Sequence, residues 1–193
     1  MTLEYYQSNA KQFFSSTVNI DMTPLYRPFL ARIPEGGRIL DAGCGSGRDS
    51  KAFADLGYQV ESFDATAELV ELARQHTGLP VTQMTFSEVD AVARYDGIWC
   101  CASLLHVGAD ELPDVMAKLA RALKPGGVWY LSFKYGEGER VKDGRRFTDL
   151  DEAGLARLVE GLDGISLIER WITVDQRPDR VERWLNGVLG RGD

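Results

Sequence analysis

The run Ile39-Leu40-Asp41-Ala42-Gly43-Cys44-Gly45-Ser46-Gly47 limits the folds open to this chain more than any other stretch. A short apolar strand ends in an acid, three alternating glycines follow, and a helical repeat with Ala52, Phe53 and Leu56 on one face begins directly after. Glycines at such a turn let the backbone approach a ligand closely and adopt conformations closed to other residues. In doubly wound α/β sheets the ligand lies over the carboxyl ends of the strands. The rest of the chain fits that architecture. Strand candidates at 58–63, 80–85, 97–102 and 128–133 alternate with helical repeats at 68–76 and at Leu112, Val115, Met116, Leu119 and Leu123. Such alternation predicts a parallel sheet with right-handed crossovers.

Several finer expectations follow. Asp110 is the expected N-cap of the helix carrying Leu112, and Lys124-Pro125-Gly126-Gly127 its stop. Residues 135–147 read as a polar loop. Thr148 with Asp151 reads as a capping box before Leu155, Leu158 and Leu162. Strand candidates at 165–174 and 183–189 have only a turn at 175–179 between them, which predicts a hairpin at one sheet edge. The whole is expected to be one domain over 1–193, with 1–35 a helical segment ahead of a core at 36–193.

Glycine spacing separates two nucleotide classes. A dinucleotide fingerprint, G-x-G-x-x-G, places a pyrophosphate on the helix N-terminus, but here its third glycine position is Arg48. Asp41 ahead of the loop suits an ammonium and is unwelcome beside a pyrophosphate. Asp64 ends the next strand, 17 residues after Gly47, where a carboxylate accepts both hydroxyls of a ribose. The loop therefore favours an amino-acid-bearing nucleoside over NAD, and an NAD-dependent oxidoreductase is disfavoured.

With these residues in place, the sequence resembles the class I S-adenosylmethionine-dependent methyltransferases over nearly its whole length. Ile39 to Gly47 is similar to their first motif, which includes Ala42, and Asp64 with Ala65 beside it to their ribose site. Thr85-Phe86 falls where adenine contacts sit, although Thr85 lacks the charge that many members place there, so Phe86 carries the expectation. Ala102-Ser103-Leu104-Leu105-His106 resembles the loop after strand four, with Cys101 where the cofactor edge passes. Gly45-Ser46-Gly47-Arg48-Asp49-Ser50 looks most like small bacterial enzymes of the tellurite-resistance type. The resemblance implies a seven-stranded sheet of order 3-2-1-4-5-7-6 with strand 7 antiparallel, S-adenosylmethionine as cofactor, and Arg48 near its methionine carboxylate. It also implies that the aromatic N-terminal stretch, Tyr6 and Phe14 in particular, closes over the site.

The function expected is methyl transfer to a small acceptor (an oxyanion, thiol, hydroxyl or amine) by in-line displacement. A non-catalytic module or sensor that merely holds the cofactor is the alternative. His106, just past strand four, is the candidate general base for a protonated acceptor. His76 closes a helix, where a cation meets the dipole favourably. Lys134, Tyr135, Arg145, Arg146, Arg177, Arg180 and Trp184 are candidates to hold an anionic acceptor, each read singly as surface.

Composition narrows the partners. A net charge of −7 argues against a protein whose main partner is a nucleic acid. The Asn/Asp-Pro-Pro-Tyr/Phe motif of nucleic-acid amino-methylating enzymes does not occur after strand four. No apolar run reaches the roughly 18 residues of a membrane span, and residues 1–9 have no secretory character. Three cysteines, two of them adjacent on one strand and so poorly placed to bridge, fit a reducing, cytoplasmic setting. Two isolated histidines and scattered acids make no metal site. A monomer or weak homodimer is expected.

Overall fold

The structure, a computed structural model, describes residues 1–175 and 180–193. Two helices, α1 (Thr2–Thr17) and α2 (Thr23–Leu30), precede the first strand. Then come β1 (Arg38–Ala42), α3 (Arg48–Asp55), β2 (Gln59–Asp64), α4 (Ala67–Thr77), β3 (Val81–Gln83), β4 (Tyr95–Cys100), α5 (Leu112–Ala122) and β5 (Leu123–Lys134). A hairpin of β6 (Gly138–Lys142) and β7 (Arg145–Asp149), helix α6 (Glu152–Glu160), and strands β8 (Ile165–Val174) and β9 (Arg183–Arg191) complete the chain.

Seven strands form one sheet in the order β3-β2-β1-β4-β5-β9-β8. The five leading strands run parallel, β9 pairs antiparallel with β5, and β8 pairs antiparallel with β9. With the separate β6–β7 hairpin set aside, this is the expected order 3-2-1-4-5-7-6. Central β4 is buried on both faces because helices cover each side, as a parallel strand requires. On one face Trp99 stacks on Tyr130, with ring centroids 4.0 Å apart, and Phe29, Phe53 and Tyr26 crowd around them. On the other, Ile98, Met116, Leu119 and Trp129 anchor α5. Gly97 permits the close approach of α2, since a Cβ there would stand 2.8 Å from Phe29 and closer still to Ile33.

Four expectations need correction or bounding. Residues 135–147 are not a loop but the greater part of the β6–β7 hairpin, whose turn is Asp143-Gly144 with φ of 51° and 73°. Positive φ at both turn residues matches the right-handed twist of the flanking strands. Thr148 lies in β7 and donates to the carbonyl of Val107; Asp151 alone caps α6, accepting from the Gly154 amide at 2.7 Å. Glu111, not Asp110, stands at the N-cap of α5, with no side-chain cap bond. The turn at 175–179, and Arg177 with it, falls largely outside the described residues.

Candidate active site

The loop after β1 has three left-handed glycines, Gly43, Gly45 and Gly47, at φ of 76°, 53° and 76°. Two of them are also sterically required. A Cβ on Gly43 would stand 2.6 Å from the Ser103 side chain, and one on Gly47 would stand 2.8 Å from Thr77. The loop is fastened from the next strand and from below. Asp64 accepts from the amides of Gly45 (3.0 Å) and Thr66 (2.9 Å), and burial raises its pKa. Asp41 is 2% exposed and its Oδ2 accepts from Ser50 Oγ at 2.6 Å, which puts this acid in the floor beneath the glycines. Burial there, and Asp49 nearby, push Asp41 well above the usual carboxylate range.

Asp49, in the first turn of α3, is a second fastening that sequence reading passed over. Its carboxylate accepts from Tyr26 Oη (2.5 Å), Trp99 Nε1 (2.8 Å), Arg48 Nε (2.8 Å) and Arg48 Nη2 (3.1 Å). Burial raises its pKa, but Arg48 and the two neutral donors outweigh burial and hold the carboxyl below its ordinary value. Arg48 is thereby fixed beside Cys101, 3.9 Å from its sulfur.

The loop after β4 closes the other side. Ala102 takes φ of 50°, unusual for a residue with a Cβ and of the kind that gathers at functional sites. Its amide donates to Ser132 Oγ (2.8 Å), and Ser103 Oγ donates to the carbonyl of Ala42 (2.7 Å), so the two loops are tied together across the sheet end. Phe86 stands edge-on to Phe63, on the side where a Gly43 Cβ would touch it. Ala42 is fully buried; Ala65 is half-buried beside Asp64.

His106 lies further along that loop. Its Nδ1 is 2.8 Å from the carbonyl oxygen of Arg146, which only accepts, so Nδ1 carries the proton and Nε2 accepts from Tyr6 Oη at 2.8 Å. Burial pushes the imidazole down to about 4, so it is neutral at physiological pH. Tyr6 is the point where α1 meets this loop. Phe14 is not: it packs edge-on against His76 of α4. One residue earlier on the helix, Phe13 stands over Gly45 and against Tyr6. The helical phase of α1 would have distinguished the two.

Lys134 is buried rather than exposed, paired with Glu182 at 2.8 Å. Burial lowers its pKa, and Glu182 opposes the shift. Cys44, Cys100 and Cys101 are free thiols whose pKa values burial raises, so none is primed as a nucleophile. Among the described residues no group of His, Cys, Asp or Glu is placed to hold a metal ion, and no helix is long and apolar enough to cross a membrane. An open cleft of about 520 Å³ lies away from the glycine loop, between Arg38, Arg94, Asp96 and Lys124. Its charges pair with carboxylates of this chain, Arg94 with Glu61 and Lys124 with Asp96.

Fold and loop geometry together define the Rossmann-like methyltransferase architecture. Residues 39–127, a little under half of the chain, match the family model described as a methyltransferase domain. A ubiquinone biosynthesis O-methyltransferase of Xanthomonas axonopodis pv. citri (strain 306) is 38% identical over 109 residues, covering 51% of this chain and 44% of that protein. The chain thus spans less than half the length of the curated relatives it matches. Among solved structures, the 1,6-didemethyltoxoflavin-N1-methyltransferase of Burkholderia thailandensis, with bound 1,6-didemethyltoxoflavin and S-adenosylhomocysteine, aligns with TM-score 0.78 and 24% identity. The alignment covers 98% of this chain and 88% of that one. The N-methyltransferase NodS of Bradyrhizobium japonicum WM9, in complex with S-adenosylhomocysteine, aligns with TM-score 0.75 and 16% identity over 98% and 99% of the two chains. At these identities the structural likeness shows a common fold. The family match and the O-methyltransferase relatives each cover about half of the chain and liken what they cover to methyltransferase domains.

Proposed function

We propose that this chain transfers the methyl group of S-adenosylmethionine to a small-molecule acceptor at a hydroxyl or amine. The observation that carries this reading is the fastened turn: three left-handed glycines held between Asp64, Asp41 and the Ser103–Ala42 bond, at the carboxyl ends of β1, β2 and β4. That cradle fits the cofactor. Gly43, Gly45 and Gly47 supply the left-handed backbone of the turn, Asp64 offers carboxylate oxygens for the ribose, and Phe86 an aromatic edge for the adenine. Arg48, locked by Asp49, presents its charge toward the methionine carboxylate, while Asp41 sets the floor of the loop. Cys101, Ala102 and Ala65 shape the walls.

When bound, the cofactor supplies a methyl group on a positive sulfur; the acceptor's lone pair forms the new bond as the carbon–sulfur pair leaves with sulfur. The protein's part is alignment and exclusion of water. Tyr6 and Phe13 of α1 cover the glycine turn and supply that exclusion. Tyr6 Oη and His106 Nε2 form a chain through which the acceptor's proton leaves. With its pKa down at about 4, His106 is a weak base, suited to an acceptor whose proton departs late in the transfer.

None of the three relatives described above is a tellurite enzyme by name, and the Tyr6–His106 chain has use only for an acceptor with a proton to lose. This favours a hydroxyl or amine over an oxyanion. Incubating the protein with methyl-labelled donor and a panel of phenols, amines, thiols and oxyanions tests the reading. Label in a phenol or amine supports it, and label in none of the panel despite donor binding favours a binding module.

A further inference from the structure

The β6–β7 hairpin carries a cluster of cations that methyl transfer alone does not need. Phe147, 2% exposed, has Lys134 Nζ 4.3 Å from its ring centroid, and the guanidinium carbons of Arg140 and Arg145 at 5.1 and 5.2 Å. Two of these cations are neutralised at close range, Lys134 by Glu182 at 2.8 Å and Arg140 by Asp149 at 2.5 Å. Arg145 is not. Its carboxylate partner, Asp143, is 3.6 Å away at the hairpin turn and 62% exposed, where water screens the pair. Its Nε is buried and, among the described residues, without a hydrogen-bond partner. A buried donor left without a partner is costly, so a fold that keeps one has a use for it.

The position says what that use is. The Arg145 guanidinium lies 4.2 Å from the ring centroid of Tyr5, and its charge acts on both Tyr6 and His106. Tyr5, Tyr6 and Phe13 are half-buried and meet edge-on, so the cation is bordered by an aromatic cluster of α1. A guanidinium fork pairs bidentately with a carboxylate.

We propose that Arg145 is the specificity-determining residue of the acceptor site, and that the acceptor is a planar aromatic molecule bearing a carboxylate. Arg145 holds the carboxylate, the aromatic faces of α1 hold the ring, and the Tyr6–His106 chain faces the group to be methylated. This rests on the methyltransferase reading and sharpens it to a substrate class.

The test uses 3,4-dihydroxybenzoate and its neutral counterpart 4-methylcatechol. Binding of each to protein loaded with S-adenosylhomocysteine is measured by titration calorimetry, and transfer is followed with labelled donor. The carboxylate probe is expected to have at least about tenfold higher kcat/KM, mostly through KM, which corresponds to about 1.4 kcal/mol. Arg145→Gln removes that preference, Arg145→Lys keeps part of it, and affinity for S-adenosylhomocysteine changes less than about twofold in both. Equal handling of the two probes, a preference that survives Arg145→Gln, or binding of neither probe by the loaded protein overturns the proposal. Failure of the unmodified protein to bind S-adenosylhomocysteine refutes the parent reading instead, and the calorimeter separates the two cases.

Discussion

Asp49→Ala removes the carboxylate that collects Tyr26, Trp99 and the Nε and Nη2 of Arg48 under the glycine turn. The carboxylate is ionised and 5% exposed, and the Arg48 side chain is only 18% exposed. Deleting one member of such a pair leaves a half-buried guanidinium, a phenol and an indole N–H without their acceptor. Breaking a buried pair costs about 3–5 kcal/mol, and the total stability of a domain is about 5–15 kcal/mol. At about 2–4 °C per kcal/mol for a chain of this size, the melting temperature drops by on the order of 10 °C. The Arg48→Met/Asp49→Ala double variant recovers a substantial part, since the stranded charge is gone and only the two neutral donors remain unmet. Thermal and urea unfolding of the four proteins of this cycle measure both quantities. A loss below about 1 kcal/mol for Asp49→Ala, or a double variant no more stable than the single, would refute the view that Asp49 organises this corner.

Two further outcomes follow from the same geometry. His106 has a folded pKa of about 4 against about 6.5 unfolded. As pH falls from about 6.5 toward 4 the unfolded chain takes up a proton that the folded one refuses, and stability declines over that window. His106→Gln flattens the slope, and the His106 imidazole resonances of the native protein, assigned by their loss in that variant, show no titration above about pH 5; a midpoint near 6.5 for His106 would contradict the Tyr6–His106 bond. Gly97→Ala forces a methyl against Phe29 and Ile33 and destabilises by about 1–3 kcal/mol in urea unfolding, whereas an unchanged midpoint would mean that α2 does not pack there as described.

The parallel sheet and the glycine turn could be read from the chain because both are local signals, whereas the strand order was implied by the family resemblance. The glycine turn is one contiguous stretch, and strands alternating with amphipathic helices leave few topologies. The β6–β7 hairpin was hidden because β6 is mostly exposed and β7 buries Phe147 beside the polar Thr148 and Asp149, so no apolar alternation marks either strand. The signal present was Asp143-Gly144, a dipeptide suited to a tight hairpin turn. Asp49 and Arg145 are different cases. Asp49 reads as an ordinary first-turn acid until Tyr26 and Trp99, 23 and 50 residues away, are brought to it. Arg145 reads as surface until the hairpin folds its guanidinium against Tyr5, contributed by α1 from the far end of the chain. Phe13 and Phe14 are adjacent, and only the rotation of α1 decides which ring covers Gly45.

The central claim is that the turn between Asp41 and Asp64 cradles a nucleoside joined to an amino acid. Calorimetric titration with S-adenosylhomocysteine, for the unmodified protein and for Asp64→Ala, tests it most directly. The account predicts micromolar binding that weakens tenfold or more in the variant, about 1.4 kcal/mol. Equal affinity in the two proteins, or binding in neither, would contradict it.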